Sequence, residues 1–317
     1  MNTTEFLSIS SLIVPDREAL IFEDKRITYI DLQSRVNKLA NSLAELGVGP
    51  GDRVAILQVN CNQYIESYFA TAKLDAVYVP MNFRARADEL AYMINDAGPK
   101  IVLVGERYVD LVKECSKQID CVEHYVALDG PIEGWQHYEA LVENGEDEER
   151  YPEGDDDDLT VIMFTAGTTG SPKGVMLSHD SFSSYILSNV TPADPDADDR
   201  NILTVPLYHI AGVQAVMAAI YGGRTMIIQR QFEAVEWMRL VETEKANRAM
   251  MVPTMLKMLM DSPEFHQHDL SSLEVITYGA AQMPLEVIKR AIVEFPGTHF
   301  INAFGQTETA STITMLP

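Results

Sequence analysis

Short apolar runs recur along the chain, separated by stretches with helical periodicity. The first series is VAIL (54 to 57), VYV (77 to 79), IVLV (101 to 104) and VEHYVAL (122 to 128), all rich in β-branched residues. Between them, Asp88 to Ala97 and Tyr108 to Gln118 repeat as helices, with Val109, Val112 and either Cys115 or Ser116 on one face. A second series runs through ILTVPL (202 to 207), TMII (225 to 228), RAMMV (248 to 252), EVITYG (274 to 279) and HFINAF (299 to 304). Strands alternating with helices predict βαβ units, and therefore mostly parallel sheets covered by helices. Ahead of both series, Leu32, Val36, Leu39, Leu43 and Leu46 form an apolar helical face that GVGPGD ends. The expected fold class is α/β, with two stacked doubly wound lobes over residues 50–180 and over 1–49 plus 181–317.

Residues 143 to 158, ENGEDEERYPEGDDDD, read as an acidic, turn-rich connector, and DDDD as a solvated loop rather than an isolated metal site. The whole chain is acidic: 24 Lys plus Arg stand against 47 Asp plus Glu, a formal net charge of -23. Such a surface repels nucleic acid and anionic lipid, so an anionic ligand requires local counter-charge. Cys61, Cys115 and Cys121 match no zinc or redox spacing and read as free thiols of a reducing, cytoplasmic compartment. The N-terminus lacks a basic region before its apolar run, and the stretch 210 to 228 is interrupted by Gln214, Gly222, Gly223 and Arg224. Neither a signal peptide nor a membrane span is expected.

Residues 165 to 174, TAGTTGSPKG, combine glycines, hydroxyls and a lysine. A Walker A loop needs its lysine directly after the second glycine of G-x-x-x-x-G and a helix there. Here Pro172 occupies the corresponding place, and Lys173 leads into the strand-like GVML, which excludes a P-loop. With LTVIMF before it, the stretch reads as a glycine-rich hairpin loop. The amides and hydroxyls of Thr165, Gly167, Thr168, Thr169, Gly170 and Ser171, with the charge of Lys173, suit phosphate oxygens; a plain polar turn is the alternative.

TAGTTGSPKG resembles the signature loop of the AMP-forming adenylating superfamily, which includes acyl-CoA synthetases, firefly luciferases and the adenylation domains of peptide synthetases. PLYHIAG (206 to 212), YGAAQMP (278 to 284) and FGQTE (304 to 308) are similar to later family motifs in the family's order, and KLDAVYVPMN (73 to 82) to an earlier one. The resemblance covers essentially the whole chain and implies the family's N-terminal domain, without most of its β-barrel subdomain or its C-terminal lid. It implies ATP, Mg2+ and coenzyme A as co-substrates. Thr307 then contacts the α-phosphate, Glu308 and Thr165 help hold Mg2+, and Lys173 meets the phosphates. Gly279, Ala280 and Ala281 line the adenine slot, Asn302 and Phe304 flank the base, and Gly305 and Gln306 complete the nucleotide contacts. Read from the residues alone, the strand in NAFGQTE ends at Gly305, which lets the chain turn and sets Thr307 and Glu308 at a sheet edge. Phe304 replaces a frequent Tyr, and Ala166 a common Ser.

His209, in PLYHIAG, takes a substrate-side role by the same resemblance, with Gly212, Val213 and Tyr278 beside the acid. Val205 to Gly223 contains no Asp or Glu, so the ammonium of an amino acid substrate would lack a partner. An aliphatic or aryl carboxylic acid is expected instead, with Met251, Met255, Met258 and Met260 as a deformable wall or as plain helix core. The implied activity is that of an acyl-CoA synthetase. Two alternatives stay open: an adenylating enzyme with another acceptor, either a carrier protein or an oxidation, and a non-catalytic nucleotide-binding or acyl-binding module. The chain stops at Pro317, before the family's ribose-binding aspartate, hinge and lid lysine, so these 317 residues alone are expected to be nearly inactive. The sequence leaves oligomerisation open.

Overall fold

A computed structural model describes residues 1–165 and 170–316. In chain order the elements begin with α1 (Thr4–Ile13), β1 (Glu18–Phe22), β2 (Lys25–Thr28), α2 (Tyr29–Glu45), β3 (Arg53–Leu57), α3 (Asn62–Ala72), β4 (Val77–Pro80), α4 (Ala87–Ala97), β5 (Ile101–Val104) and α5 (Val109–Cys115). They continue with β6 (His124–Ala127), β7 (Gln136–His137), α6 (Tyr138–Asn144), β8 (Leu159–Thr165), β9 (Lys173–Ser178), α7 (His179–Asn189), β10 (Arg200–Leu203) and α8 (Ile210–Tyr221). The last are β11 (Thr225–Ile228), α9 (Ala234–Glu244), β12 (Arg248–Met251), α10 (Pro253–Asp261), β13 (Val275–Gly279), α11 (Leu285–Glu294), β14 (His299–Gln306) and β15 (Ser311–Leu316).

The chain divides into two units, Met1–Ser8 with Ile30–Leu187 and Ile9–Tyr29 with Ser188–Pro317. Helix α2, grouped by sequence with residues 1–49 of the second lobe, belongs to the first unit. Its inward residues Leu32, Val36, Leu39 and Leu43 are fully buried, and Arg35 joins it to Glu66 of α3.

The first unit is built on a sheet in the order β7-β6-β5-β3-β4-β8-β9, parallel apart from the β8/β9 hairpin. Its inner strands are continuous apolar runs because both faces are covered: every residue of β4 and β5 is buried. Helix α4 packs Leu90, Met93 and Ile94 onto this sheet. It begins where Glu89 accepts the Arg86 N–H at 3.1 Å and ends at Gly98 in the left-handed region, φ 60°.

The second unit carries a sheet in the order β15-β14-β13-β12-β10-β11-β1-β2, with antiparallel pairs at its two ends and parallel strands between them. Trp237, Met238, Met251, Leu256 and Ile276 fill one core layer. Of the methionines suspected of lining an acid pocket, Met251 and Met260 belong to this layer, Met255 packs against it, and Met258 is exposed. Three of the four are therefore helix and strand core, and the four do not form a common wall. All three cysteines are free thiols. Among the described residues no helix is long and apolar enough to cross a membrane.

Candidate active site

In the first unit, β8 and β9 form the expected hairpin, with Thr165 paired to Lys173. The Thr165 hydroxyl donates to the Lys173 carbonyl at 3.4 Å, while the Lys173 side chain is exposed. Gly170 holds φ at +113°, a conformation that side chains rarely adopt. Gly167, Thr168 and Thr169, together with Ala166, lie outside the described residues.

In the second unit the carboxyl ends of β13 and β14 open into a cavity of about 530 Å³. Tyr278, Ala280, Ala281, Asn302, Phe304 and Gly305 line it, as do five residues that sequence reading did not single out: Gln282, Met283, Leu285, Ile288 and Ala303. Two of these had a signal. Leu285 and Ile288, apolar at i and i+3, start α11 on one face, yet Leu285 is 62% exposed.

The cavity's shape follows from backbone contacts. Gly279 pairs with Ala303, and a Cβ on Gly279 would stand 2.2 Å from the Ala303 carbonyl oxygen, so only glycine allows the two strands to run this close. Directly after it, Ala280 turns the chain with φ +62°. Tyr278 and Asn302 are register partners, so their side chains share one face of the sheet. No lining residue carries a charge, which in a chain of net charge -23 marks a neutral slot suited to a flat, uncharged ring.

Gly305 does not end its strand. β14 runs on through Gln306, and the register shift between Phe304 and Gly305 is a bulge against β15. The turn comes afterwards, as a single 3-10 turn over Thr307–Thr309. Gln306 donates its N–H to Thr309 Oγ1 at 3.2 Å, and the Thr309 hydroxyl donates back to the Gln306 carbonyl at 2.9 Å. Threonine hydrogen bonding, rather than glycine freedom, makes this turn. It leaves Thr307 partly exposed and Glu308 exposed between β14 and the edge strand β15.

His209, Gly212 and Val213 are not among the cavity's lining residues. His209 precedes the first turn of α8, exposed, with its ring 4.1 Å from that of Tyr208. Gly212 is required locally: a Cβ there would lie 2.6 Å from the Pro206 carbonyl oxygen, so it lets α8 settle on the PLYH segment. A second cavity of about 420 Å³, between the β1–β2 turn and α9, has two ion pairs in its lining, Glu23 with Arg230 and Glu236 with Arg239.

The family model for AMP-binding enzymes matches residues 13–317. The chain belongs to the AMP-binding enzyme family. Among curated AMP-binding relatives, an indoleacetate–CoA ligase of Aromatoleum aromaticum is 30% identical over 98% of this chain and 60% of its own length. The long-chain-fatty-acid–CoA ligase FadD13 of Mycobacterium tuberculosis is 31% identical over 92% of this chain and 57% of its own. The chain thus spans 57–60% of the length of these two AMP-binding relatives. An inhibitor-bound N-terminal domain of FACL13 from Mycobacterium tuberculosis superposes with a TM-score of 0.90 at 29% identity, covering 99% of this chain and 78% of that one. The α/β architecture is that of the N-terminal domain of fatty-acyl-CoA ligases.

Proposed function

We propose that this protein activates a hydrophobic carboxylic acid, a fatty or an aryl acid, with Mg-ATP to the acyl-adenylate and passes the acyl group to coenzyme A. The observation that carries the proposal is the neutral cavity at the carboxyl ends of β13 and β14, beside the Thr307–Glu308 turn, in a chain of the AMP-binding family. Two of its relatives are named for an aryl-substituted and a fatty acid, which supports an apolar acid here.

In this reading adenine enters the slot between the Ala280–Ala281 backbone and Phe304, with Tyr278 and Asn302 on the same sheet face. Gly305 and Gln306 lead into the turn, where Thr307 donates its hydroxyl to the α-phosphate. Gly167, Thr168, Thr169, Gly170 and Lys173 meet the outer phosphates. His209, Gly212, Val213 and Tyr278 attend the acid. Among the described residues no three His, Cys, Asp or Glu side chains gather as a metal cage. Thr165 and Glu308 are single oxygen donors, which fits a Mg2+ that arrives on the triphosphate and keeps most of its water, rather than a resident ion. When bound, it neutralises phosphate charge.

A carboxylate oxygen of the acid attacks the α-phosphorus and pyrophosphate leaves. The coenzyme A thiol then attacks the acyl carbon, giving up its proton, and AMP leaves with the electron pair. Positioning and charge stabilisation are the protein's share of the first step. The three free thiols support a cytoplasmic setting.

The test uses the gene product at its native length, incubated with Mg-ATP and a panel of fatty and aryl acids, with and without coenzyme A, followed by mass spectrometry. An acyl-CoA product is expected. Acyl-AMP that persists unchanged in the presence of coenzyme A would transfer the proposal to another acceptor.

A further inference from the structure

The strand order of the second sheet reverses at β10: the chain passes to β11 on one side and then through β12, β13 and β14 on the other. Ligands of open α/β sheets bind outside the carboxyl ends of the strands at such a point. Helix α8, which starts from the carboxyl end of β10, is in contact with the edge strand β15 despite the three strands between them.

Helix α8 is buried on most of its circumference, and its less buried stripe is Ala211, Ala215 and Ala218, at i, i+4 and i+7. Gln214 stands on the flank of this stripe, one turn before Ala218. Its side chain is 5% exposed, and neither its amide oxygen nor its amide nitrogen has a hydrogen-bond partner among the described residues. Its chain neighbours Val213, Val216 and Met217 are buried and apolar, and Val205 to Gly223 contains no Asp, Glu, Lys or Arg. A buried amide with both ends unmade is costly to the ligand-free fold, and such groups in native proteins ask for a partner. A carboxylate could satisfy only the NH2 group, because it accepts and does not donate. A hydroxyl satisfies both ends, accepting from the NH2 and donating to the amide oxygen.

We infer that Gln214 is a specificity-determining residue that recognises a neutral hydrogen-bonding group, a hydroxyl above all, on the acyl portion of the acid. The inference rests on the proposed acid-activating function and narrows its substrate class from apolar acids to acids carrying one polar substituent. A site with a buried polar group discriminates against the analogue that lacks the matching group far more sharply than an apolar pocket senses a methylene.

The test measures kcat/KM for pyrophosphate release by the native-length protein on matched acids: cinnamate against its 2-, 3- and 4-hydroxy forms, and decanoate against its 3- and 10-hydroxy forms. The wild type is expected to favour at least one hydroxy acid by about tenfold or more. Gln214→Leu and Gln214→Met should abolish that preference, leave the unsubstituted acid within about threefold of the wild-type value, and keep or raise the ligand-free Tm, since an unpaired buried amide is removed. Equal ratios in wild type and both variants would overturn the inference while leaving the acid-activating function standing. So would a lowered Tm with equal loss on both acids, which assigns the amide a structural role. Failure of the wild type to adenylate any acid would instead defeat the proposed function itself, and the inference with it.

Discussion

Ala280 holds φ at +62° at the rim of the cavity, in a region where a Cβ is sterically penalised. Glycine there should stabilise the protein by about 0.5–1 kcal/mol if relief of strain outweighs the freedom glycine gains in the unfolded chain. Chemical denaturation of Ala280→Gly reads this directly, and a lower midpoint would refute it. Phe304 is 64% exposed and offers a bare ring face beside Asn302. Phe304→Ala should weaken ATP binding by roughly 1–3 kcal/mol, on the order of tenfold to a hundredfold, the worth of one base-stacking contact. Calorimetric titration with ATP checks it, and unchanged affinity would remove the ring from the nucleotide site. At this scale part of the motif reading corresponds to a place in the fold: Tyr278, Ala280, Ala281, Asn302 and Phe304 surround one space, while His209, Gly212 and Val213 do not join it. The sequence was opaque where contacts depend on packing. Gln282 and Met283 join the same space with no local pattern to record it, and the i, i+3 spacing of Leu285 and Ile288 marks a helix face without saying what that face meets.

Among the elements, α7 shows how burial couples to pH. His179, its first residue, is buried, and its Nδ1 accepts the Thr3 N–H at 3.3 Å and lies 2.8 Å from the Thr3 hydroxyl, which also meets Tyr68. Loss of solvation pushes its pKa down to about 4 from the usual 6.5, against the opposing pull of Asp75, Asp156 and Asp158. The unfolded chain therefore takes up this proton at a higher pH than the folded one. Stability from this group is whole above pH 6.5, falls as the pH drops toward 4, and is lost by about 3 kcal/mol below it. Unfolding of wild type and His179→Asn followed between pH 7 and 4 should show that the variant lacks this part of the slope; parallel profiles would contradict it. The strands and helices themselves were largely legible, since β3, β4, β5, β11 and β12 lie within a residue or so of their apolar runs. Two features were not. Where β14 ends is decided by the Gln306–Thr309 hydrogen bonds rather than by Gly305, and the unit to which α2 belongs is decided by long-range packing, including the ion pair at 2.9 Å between the partly exposed Arg35 and the buried Glu66.

For the whole molecule, a formal charge of -23 sets the terms on which it meets anionic ligands. Field alone would repel ATP, so recognition falls to neutral surfaces and local donors, and the uncharged cavity at β13 and β14 is such a surface. Family membership was readable because its motifs are local, ordered strings; the acid was not, because the side chains that select an acid come together only through packing, which no local string records. The proposed activity splits ATP at the α-phosphorus in response to a carboxylic acid. The measurement that tests it most directly is the fate of ATP with the native-length protein, Mg2+ and the acid panel, resolved by ion-exchange chromatography. AMP and pyrophosphate formed only when acid is present are the predicted result; ADP and phosphate, or no acid-dependent turnover, would contradict the account.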